Sequence, residues 1–298
     1  MNNPASLEGK NRIREIVEKV ERMPPLAPTV GRIIEIADSA NADPRDLNKV
    51  ITMDPVLTGR VLKLVNSAYF GLGTRVTQII RAIVLLGLNT IKNLALSTAV
   101  LGQYSGADRL SGFDMDQFWE HSLAVATFAK LCAIKTGVDQ SFHEEYFAAG
   151  LLHDVGKVVF DSQIPEEFGK ALKVAKLGGI SMVSAEERVL MVSHAEAGSW
   201  LATRWMFTPA LAAAAGLHHD PPTSGEHARL VHAVHLGNVI AKSMGFGFSG
   251  SDRLEQVAPT TWEILGLSPD EARKMTAKLL PEIQKARAFL KVNKGQSL

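Results

Sequence analysis

The chain has 298 residues, 46% of them hydrophobic and 21% charged, which is typical of a globular protein long enough for two domains. Lys and Arg number 32 against 31 Asp and Glu, and this balance argues against a dedicated nucleic-acid binder, which normally carries an excess of basic residues. The single cysteine, Cys132, excludes an intramolecular disulfide and indicates a reducing cytoplasm, and no apolar run approaches the roughly 18 residues of a membrane span.

The first third of the chain carries apolar residues at helical spacing throughout. Asp43 and Asp54 each precede a proline, and an aspartate N-cap followed by proline marks the start of a helix. Predicted helices cover residues 11–22, 30–37, 44–53, 55–66, 77–86 and 90–103. The pair within 44–66 resembles a helix-turn-helix reader of DNA, but its long aliphatic face favours a role in packing.

A polar, glycine-containing stretch at 102–112 is the best candidate domain boundary. It divides the chain into an N-terminal helical subdomain, 1–105, and a second domain, 106–298. Capping sequences beginning at Ser184, Ser193, Thr208 and Ser268 predict helices in the second domain, besides those at 143–155 and 226–244. Gly156 is expected to end the 143–155 helix. Because no segment alternates with period 2, the predicted fold is all-α, a helical bundle.

His153 and Asp154 lie side by side at the predicted end of an apolar helix. Burying an imidazole and a carboxylate is costly unless each finds a partner, and a bound cation is such a partner. For a single histidine, a hydrogen bond to a backbone carbonyl is the simpler interpretation. However, further histidines fall at predicted helix ends and first turns, where they can converge on one cavity between helices. They are His121, His194, His218 and His219, with Asn238 inside a further helix.

The order of these residues resembles the HD superfamily of metal-dependent phosphohydrolases, which includes the HD-GYP cyclic-dinucleotide phosphodiesterases. The whole chain more closely resembles the HDOD family, a bacterial regulatory offshoot of that superfamily. The motifs that carry the resemblance span roughly residues 20–245. They are Met23–Leu26, Asp54–Leu57, Asn66–Gly71, Phe118–Ser122, Gly150–Asp154, Leu217–His219 and Val234–Asn238.

The resemblance implies a ligand set for one or two divalent ions, with Fe, Mn, Zn or Ni as the expected metals. The implied ligands are His121, His153, Asp154, His194, His218 and His219. The superfamily's last acidic ligand falls on Asn238, where the match breaks, and an amide oxygen is a poorer ligand than a carboxylate. Asp220 could compensate, although a role in ending its helix is the simpler interpretation. We therefore expect an occupied but weakened site.

Two functions remain open at this point. The first is a cytoplasmic signalling regulator that acts by contact with a protein partner, its metal site being structural, sensory or vestigial. The second is a metal-dependent phosphohydrolase that acts on a nucleotide or cyclic dinucleotide. In that case Asp154 would take a proton and Lys157 would hold a phosphoryl oxygen. No membrane or nucleic-acid partner is expected in either case.

Overall fold

A computed structural model of the chain describes residues 4–39, 41–104 and 111–296, with side chains described from residue 12 onward. All regular structure in these residues is helical, and they contain no β-strand. The predicted all-α fold is confirmed. In the described part of the chain, no helix is both long and apolar enough to cross a lipid bilayer.

Six helices precede residue 105, and a longer series follows residue 111. The first group is α1 (Pro4–Glu21), α2 (Pro28–Ala37), α3 (Pro44–Thr52), α4 (Pro55–Val65), α5 (Ile79–Leu86) and α6 (Leu88–Tyr104). The second group begins with α7 (Met115–Lys135), α8 (His143–Leu152), α9 (Val155–Gln163), α10 (Pro165–Gly178), α11 (Met182–Leu190) and α12 (His194–Arg204). It ends with α13 (Pro209–Leu217), α14 (Ala228–Ser243), α15 (Thr261–Leu265), α16 (Pro269–Ala286) and α17 (Ala288–Asn293), and a 3₁₀ turn (Gln140–Phe142) precedes α8.

Local capping chemistry sets many of the helix starts. The Asp43 side chain accepts a hydrogen bond from the backbone N–H of Arg45, and Asp54 accepts one from Leu57. Both satisfy N–H groups that a helix leaves without a partner in its first turn. Ser193 forms a complete capping box with Glu196. The predicted starts of α3, α4 and α12 are therefore confirmed.

The second group packs around α7, which lies against α8 and α14, while α12 packs on α9 and α13. Close approach depends on small residues. A β-carbon at Gly150 of α8 would overlap the backbone of Ala126 in α7, and one at Gly156 of α9 would overlap the carbonyl oxygen of His194 in α12. Glycine at 150 and 156 thus lets α8 and α9 approach the helices that carry the candidate ligands.

Two predicted boundaries in this region were wrong. Gly156 does not end a helix but lies in the first turn of α9, since the chain leaves α8 at Leu152 and turns at His153 and Asp154. The predicted capping box at Ser184 lies inside α11, whose N-cap is Ser181. The start of α11 is set by the Ser181 side chain, which accepts a hydrogen bond from Ser184 N–H.

The two groups of helices contact each other along α6 and α8, and α17 packs on α4 and α6. Tyr69, after α4, donates a hydrogen bond from its hydroxyl to Glu144 at the start of α8. Lys130 of α7 donates to both side chains. The predicted division near residue 105 falls beside residues 105–110, which lie outside the described residues, so the division stays a prediction.

Candidate metal centre

The structure brings all the predicted ligand positions to one place in the second group of helices. They are His121 in α7, His153 and Asp154 between α8 and α9, His194 at the start of α12, His218 and His219 after α13, and Asn238 in α14. The ring centroids of His153 and His218 are 4.8 Å apart, and those of His121 and His153 are 5.6 Å apart. All are buried except His219, which is partly exposed.

The Asp154 carboxylate lies at the middle of this cluster. Its Oδ1 is 3.0 Å from His194 Nε2 and 3.5 Å from His218 Nε2, and its Oδ2 is 3.3 Å from His153 Nε2. The ligand atoms form two sets, each within 4.8 Å, and Asp154 belongs to both. The larger set adds His194, His218 and His219 to Asp154, and the smaller set adds His121 and His153.

Two of the imidazoles are oriented by backbone carbonyls. His153 Nδ1–H donates to Gly150 O at 2.7 Å, and His218 Nδ1–H donates to Ala214 O at 3.1 Å. A ring nitrogen bonded to a carbonyl must carry the proton, so in the neutral ring the other nitrogen, Nε2, has a free lone pair. This is the usual arrangement of metal-binding histidines.

Two further imidazoles are oriented by carboxylates. The buried Glu186 accepts hydrogen bonds from both the backbone N–H and the Nδ1–H of His194, at 2.8 and 2.6 Å. His219 Nδ1–H donates to Glu255 at 2.8 Å, and Glu255 also accepts from Lys242 at 2.8 Å. Carboxylate partners of this kind make a histidine a stronger ligand.

Several atoms facing the centre have no partner within the described residues. His153 Nε2, His218 Nε2 and Asp154 Oδ1 are buried and make no hydrogen bond of acceptable geometry. A buried polar atom without a hydrogen-bond partner lowers the stability of the fold by about 1–3 kcal/mol. Imidazole nitrogens and a carboxylate oxygen that converge without partners form a donor set suited to a transition-metal or zinc ion.

Asn238 and Lys157 change the smaller set. The amide Oδ1 of Asn238 lies 3.1 Å from His121 Nε2, at hydrogen-bond distance. The buried Lys157 ammonium lies 2.6 Å from Asp154 Oδ2, on the carboxylate oxygen that faces His153. His121 and the second oxygen of Asp154 therefore already have partners within the protein.

Burial and charge move the pKa values of these groups in different directions. Burial holds the pKa of His121 and of His218 well below the usual value, and lowers that of His219 to about 4. For His194, burial also acts to lower the pKa, but the carboxylates of Glu186 and Asp154 outweigh it and raise the pKa. His121, His218 and His219 are thus neutral near pH 7, as metal ligands must be.

The carboxylates of Glu186 and Glu255 are the functional groups that the sequence did not reveal. Glu186 belonged to the wrongly placed capping box, and only its complete burial distinguishes it from the exposed Glu187 next to it. Asp220 is exposed and belongs to neither ligand set. His235 donates from Nδ1–H to His218 O and accepts at Nε2 from Ala258 N–H.

Comparison with known proteins gives the same picture of the fold. A Geobacter sulfurreducens structure, an HDOD domain protein of unknown function, matches with a TM-score of 0.77 and 26% identity over 94% of this chain and 96% of that chain. A "Putative phosphohydrolase" from Shewanella amazonensis SB2B matches with a TM-score of 0.70 and 23% identity over 92% and 97%. A third structure, of a "Putative metal-dependent phosphohydrolase" from the same organism, matches with a TM-score of 0.56 and 17% identity over 96% and 97%.

A curated relative, an uncharacterized protein of Treponema pallidum, is 26% identical over 266 residues, which is 89% of this chain and 50% of the relative. The chain thus spans about half the length of that relative. The family model of the HDOD domain matches residues 23–221, which is most of the chain and includes every candidate ligand except Asn238. The chain belongs to the HDOD family.

Proposed function

We propose that this protein is a signalling regulator that acts by contact with another protein and holds one divalent metal ion in a modified HD-type site. The observation that carries the proposal is the convergence of imidazoles from separate helices on the single carboxylate of Asp154. The Nε2 atoms of His153 and His218 face inward, and their Nδ1–H groups are bonded to backbone carbonyls. A bound divalent cation satisfies such a set of ligand atoms.

The larger ligand set fits one ion well. Asp154, His194, His218 and His219 offer an oxygen and three nitrogens, which is a common composition for a four-coordinate zinc or related site. Glu186 and Glu255 add two negative charges directly behind His194 and His219. These carboxylates supply the anionic character that a single aspartate could not.

The smaller set is poorly suited to a second ion. Its carboxylate oxygen is shared with the Lys157 ammonium, and its histidine His121 lies at hydrogen-bond distance from the amide of Asn238. A second dication would have to bind close to a buried ammonium with no additional carboxylate nearby. Like charges at short range in a buried site repel strongly, so we propose a mononuclear centre.

A metal-dependent phosphohydrolase is the second candidate, and Lys157 is the observation that favours it. A divalent ion bound here would supply Lewis acidity and lower the pKa of a bound water towards about 7. Lys157 could then neutralise a phosphoryl oxygen, and Asp154 could hold a proton. Against this, the Lys157 side chain is buried and already paired with Asp154, so it would have to change partners to bind a substrate.

The proposal includes a division of the chain into units 1–105 and 106–298. A structure from Marinobacter aquaeolei, named "Putative signal transduction protein", shares the fold with a TM-score of 0.76 at 20% identity over 97% of this chain and 66% of that chain. That name is compatible with a signalling role here.

Elemental analysis of the purified protein, joined to a hydrolysis assay, tests the proposal. We expect close to one equivalent of Fe, Mn, Zn or Ni, and no turnover of bis-(p-nitrophenyl) phosphate or cyclic dinucleotides. Asn238→Asp should add affinity for a second ion without producing hydrolysis. Turnover that His153→Ala abolishes would establish the enzyme instead. If the purified protein binds none of the four metals Fe, Mn, Zn and Ni, the proposed mononuclear site is refuted.

A further inference from the structure

A small cavity lies beside the smaller ligand set, with His121 in its wall. It has a volume of about 250 Å³, and much of its wall is the loop that follows α14. This loop, residues 245–251, reads Gly-Phe-Gly-Phe-Ser-Gly-Ser. Pockets that enclose drug-sized ligands are roughly 300–1,000 Å³. The cavity is therefore the right size for one small group rather than a whole dinucleotide.

The loop is held firmly in place against α7. Phe248 N–H donates to Gln117 O at 3.0 Å. Gly247 has a positive φ of 61°, and a β-carbon there would overlap the Gln117 carbonyl oxygen and the His121 backbone. Only glycine fits at position 247, both in conformation and in space. The cavity is consequently formed before any ligand arrives.

The groups that line the cavity are mainly hydrogen-bond donors. The Lys242 side chain is buried and gives one bond to Glu255, which leaves two ammonium hydrogens unused. Ser249 is only 2% exposed, and its hydroxyl has no partner in the described residues. The backbone N–H groups of Gly247 and Ser251 donate to no acceptor among the described residues.

The acidic side chain in the lining, Asp252, is exposed and so remains solvated. Apart from the bond from Lys242 to Glu255, no hydrogen bond uses the Lys242 ammonium, the Ser249 hydroxyl or the two N–H groups among the described residues. Loop N–H groups and a hydroxyl beside a lysine ammonium are hydrogen-bond donors suited to an anion.

We propose that this cavity binds the phosphate group of a small phosphorylated ligand, with Lys242 and Ser249 as its main side-chain contacts. The inference deepens the proposed signalling function by naming a ligand class, and it does not require a loaded metal site. Lys242 also connects the cavity to the centre, because Glu255 accepts from both Lys242 and the candidate ligand His219. A phosphate bound to Lys242 would therefore share the ammonium with Glu255.

The test is calorimetric titration of the full chain with inorganic phosphate, before and after removal of metal with a chelator, with acetate as a second titrant. We expect phosphate to bind in both states and more tightly than acetate. Ser249→Ala should weaken binding about fivefold, the equivalent of one hydrogen bond. Lys242→Gln should weaken it about tenfold or more, since a charged donor is lost. Ser243→Ala is the matched control, because Ser243 lines the same cavity but is exposed and its hydroxyl donates to Ile240 O.

Phosphate binding that is absent, equal to that of acetate, or unchanged by Ser249→Ala would overturn the inference. So would binding seen only in metal-loaded protein and insensitive to Ser249→Ala, because that pattern places the anion on the metal. Circular dichroism of each variant checks that the fold is retained. If Lys242→Gln does not fold, Ser249→Ala alone tests the phosphate site. Metal content is measured on the same samples, so failure of the mononuclear centre is seen separately from failure of the phosphate site.

Discussion

Replacing Glu186 by glutamine tests whether the buried carboxylate behind His194 tunes a metal ligand. Glu186 is fully buried and holds His194 by two hydrogen bonds of 2.8 and 2.6 Å. Glutamine keeps the shape but removes the charge, and its amide group brings donors that find no acceptor there. Loss of an outer partner of a metal-binding histidine typically lowers metal affinity about 10–100-fold, which corresponds to roughly 1.4–2.7 kcal/mol.

The same substitution should also weaken the metal-free fold. Hydrogen bonds to a charged group contribute about 1.5–3 kcal/mol, so Glu186→Gln should lower the free energy of unfolding by about 2 kcal/mol. The loss should be larger at acid pH. The carboxylate raises the pKa of His194, and a raised folded pKa stabilises the protein below the unfolded value and loses that effect as pH rises through the folded value.

Chelator competition measures the metal affinity, and urea unfolding of the metal-free protein measures the stability. Glu187→Gln is the matched control, since Glu187 is the next residue and is exposed. Its effect on stability should stay within about 0.5 kcal/mol. If Glu186→Gln bound metal as tightly as the wild type, His194 would not be a ligand oriented by Glu186, and the assignment of the larger set would have to be revised.

Further predictions concern packing, pH and the lone thiol. Gly156→Ala should destabilise the protein by about 1–3 kcal/mol or more, because the added β-carbon would overlap His194 O. Gly59→Ala is the control, since a β-carbon there meets nothing within 4 Å, and it should stabilise α4 by about 0.5–1 kcal/mol. Equal urea midpoints for the two variants would contradict this prediction. Metal affinity should fall as the pH is lowered through the raised pKa of His194, since a proton must leave before the ring binds metal. A flat pH profile in chelator competition would count against His194 as a ligand. Burial raises the pKa of the Cys132 thiol, so Ellman's reagent should label Cys132 only when the protein unfolds, and immediate labelling of native protein would show that α7 opens.

The features that were predictable from sequence are those encoded by neighbouring residues. The starts of α3 and α4 follow from an aspartate and the adjacent proline, and the start of α12 follows from Ser193 and Glu196. These bonds form within one helical turn, so the sequence pattern specifies them directly. The order of the candidate ligands was likewise visible, because the family motifs contain all of them except His194.

Boundaries that depend on distant packing were not predictable in this way. Gly156 was expected to end a helix because glycine often does so. Its position inside α9 follows instead from the need for space beside the carbonyl oxygen of His194, a residue far along the chain. Nothing near Gly156 in the sequence reports that contact.

Glu255 shows the same limit for the candidate site. It lies in residues 251–258, which form no helix, so no periodic pattern marks it as facing inward. Its hydrogen bond to His219 joins residues 36 positions apart. From the sequence, Asp154 was therefore the only anion expected at the centre. The expectation of a weakened site rested partly on not including the carboxylates of Glu186 and Glu255.

The position of α8 gives a physical reason for a contact-driven regulator to keep a metal centre. The helix has 10 residues, about 15 Å in length. Near its start, Glu144 is bonded to Tyr69 of the first group of helices and to Lys130, and directly after its end lies His153. The helix is buried along most of its length, and close-packed interiors transmit displacement rather than absorb it. Under the proposed function, a partner that moved Tyr69 would act, through one rigid element, on a candidate ligand, and a metal bound at Asp154 would resist the same movement from the other end.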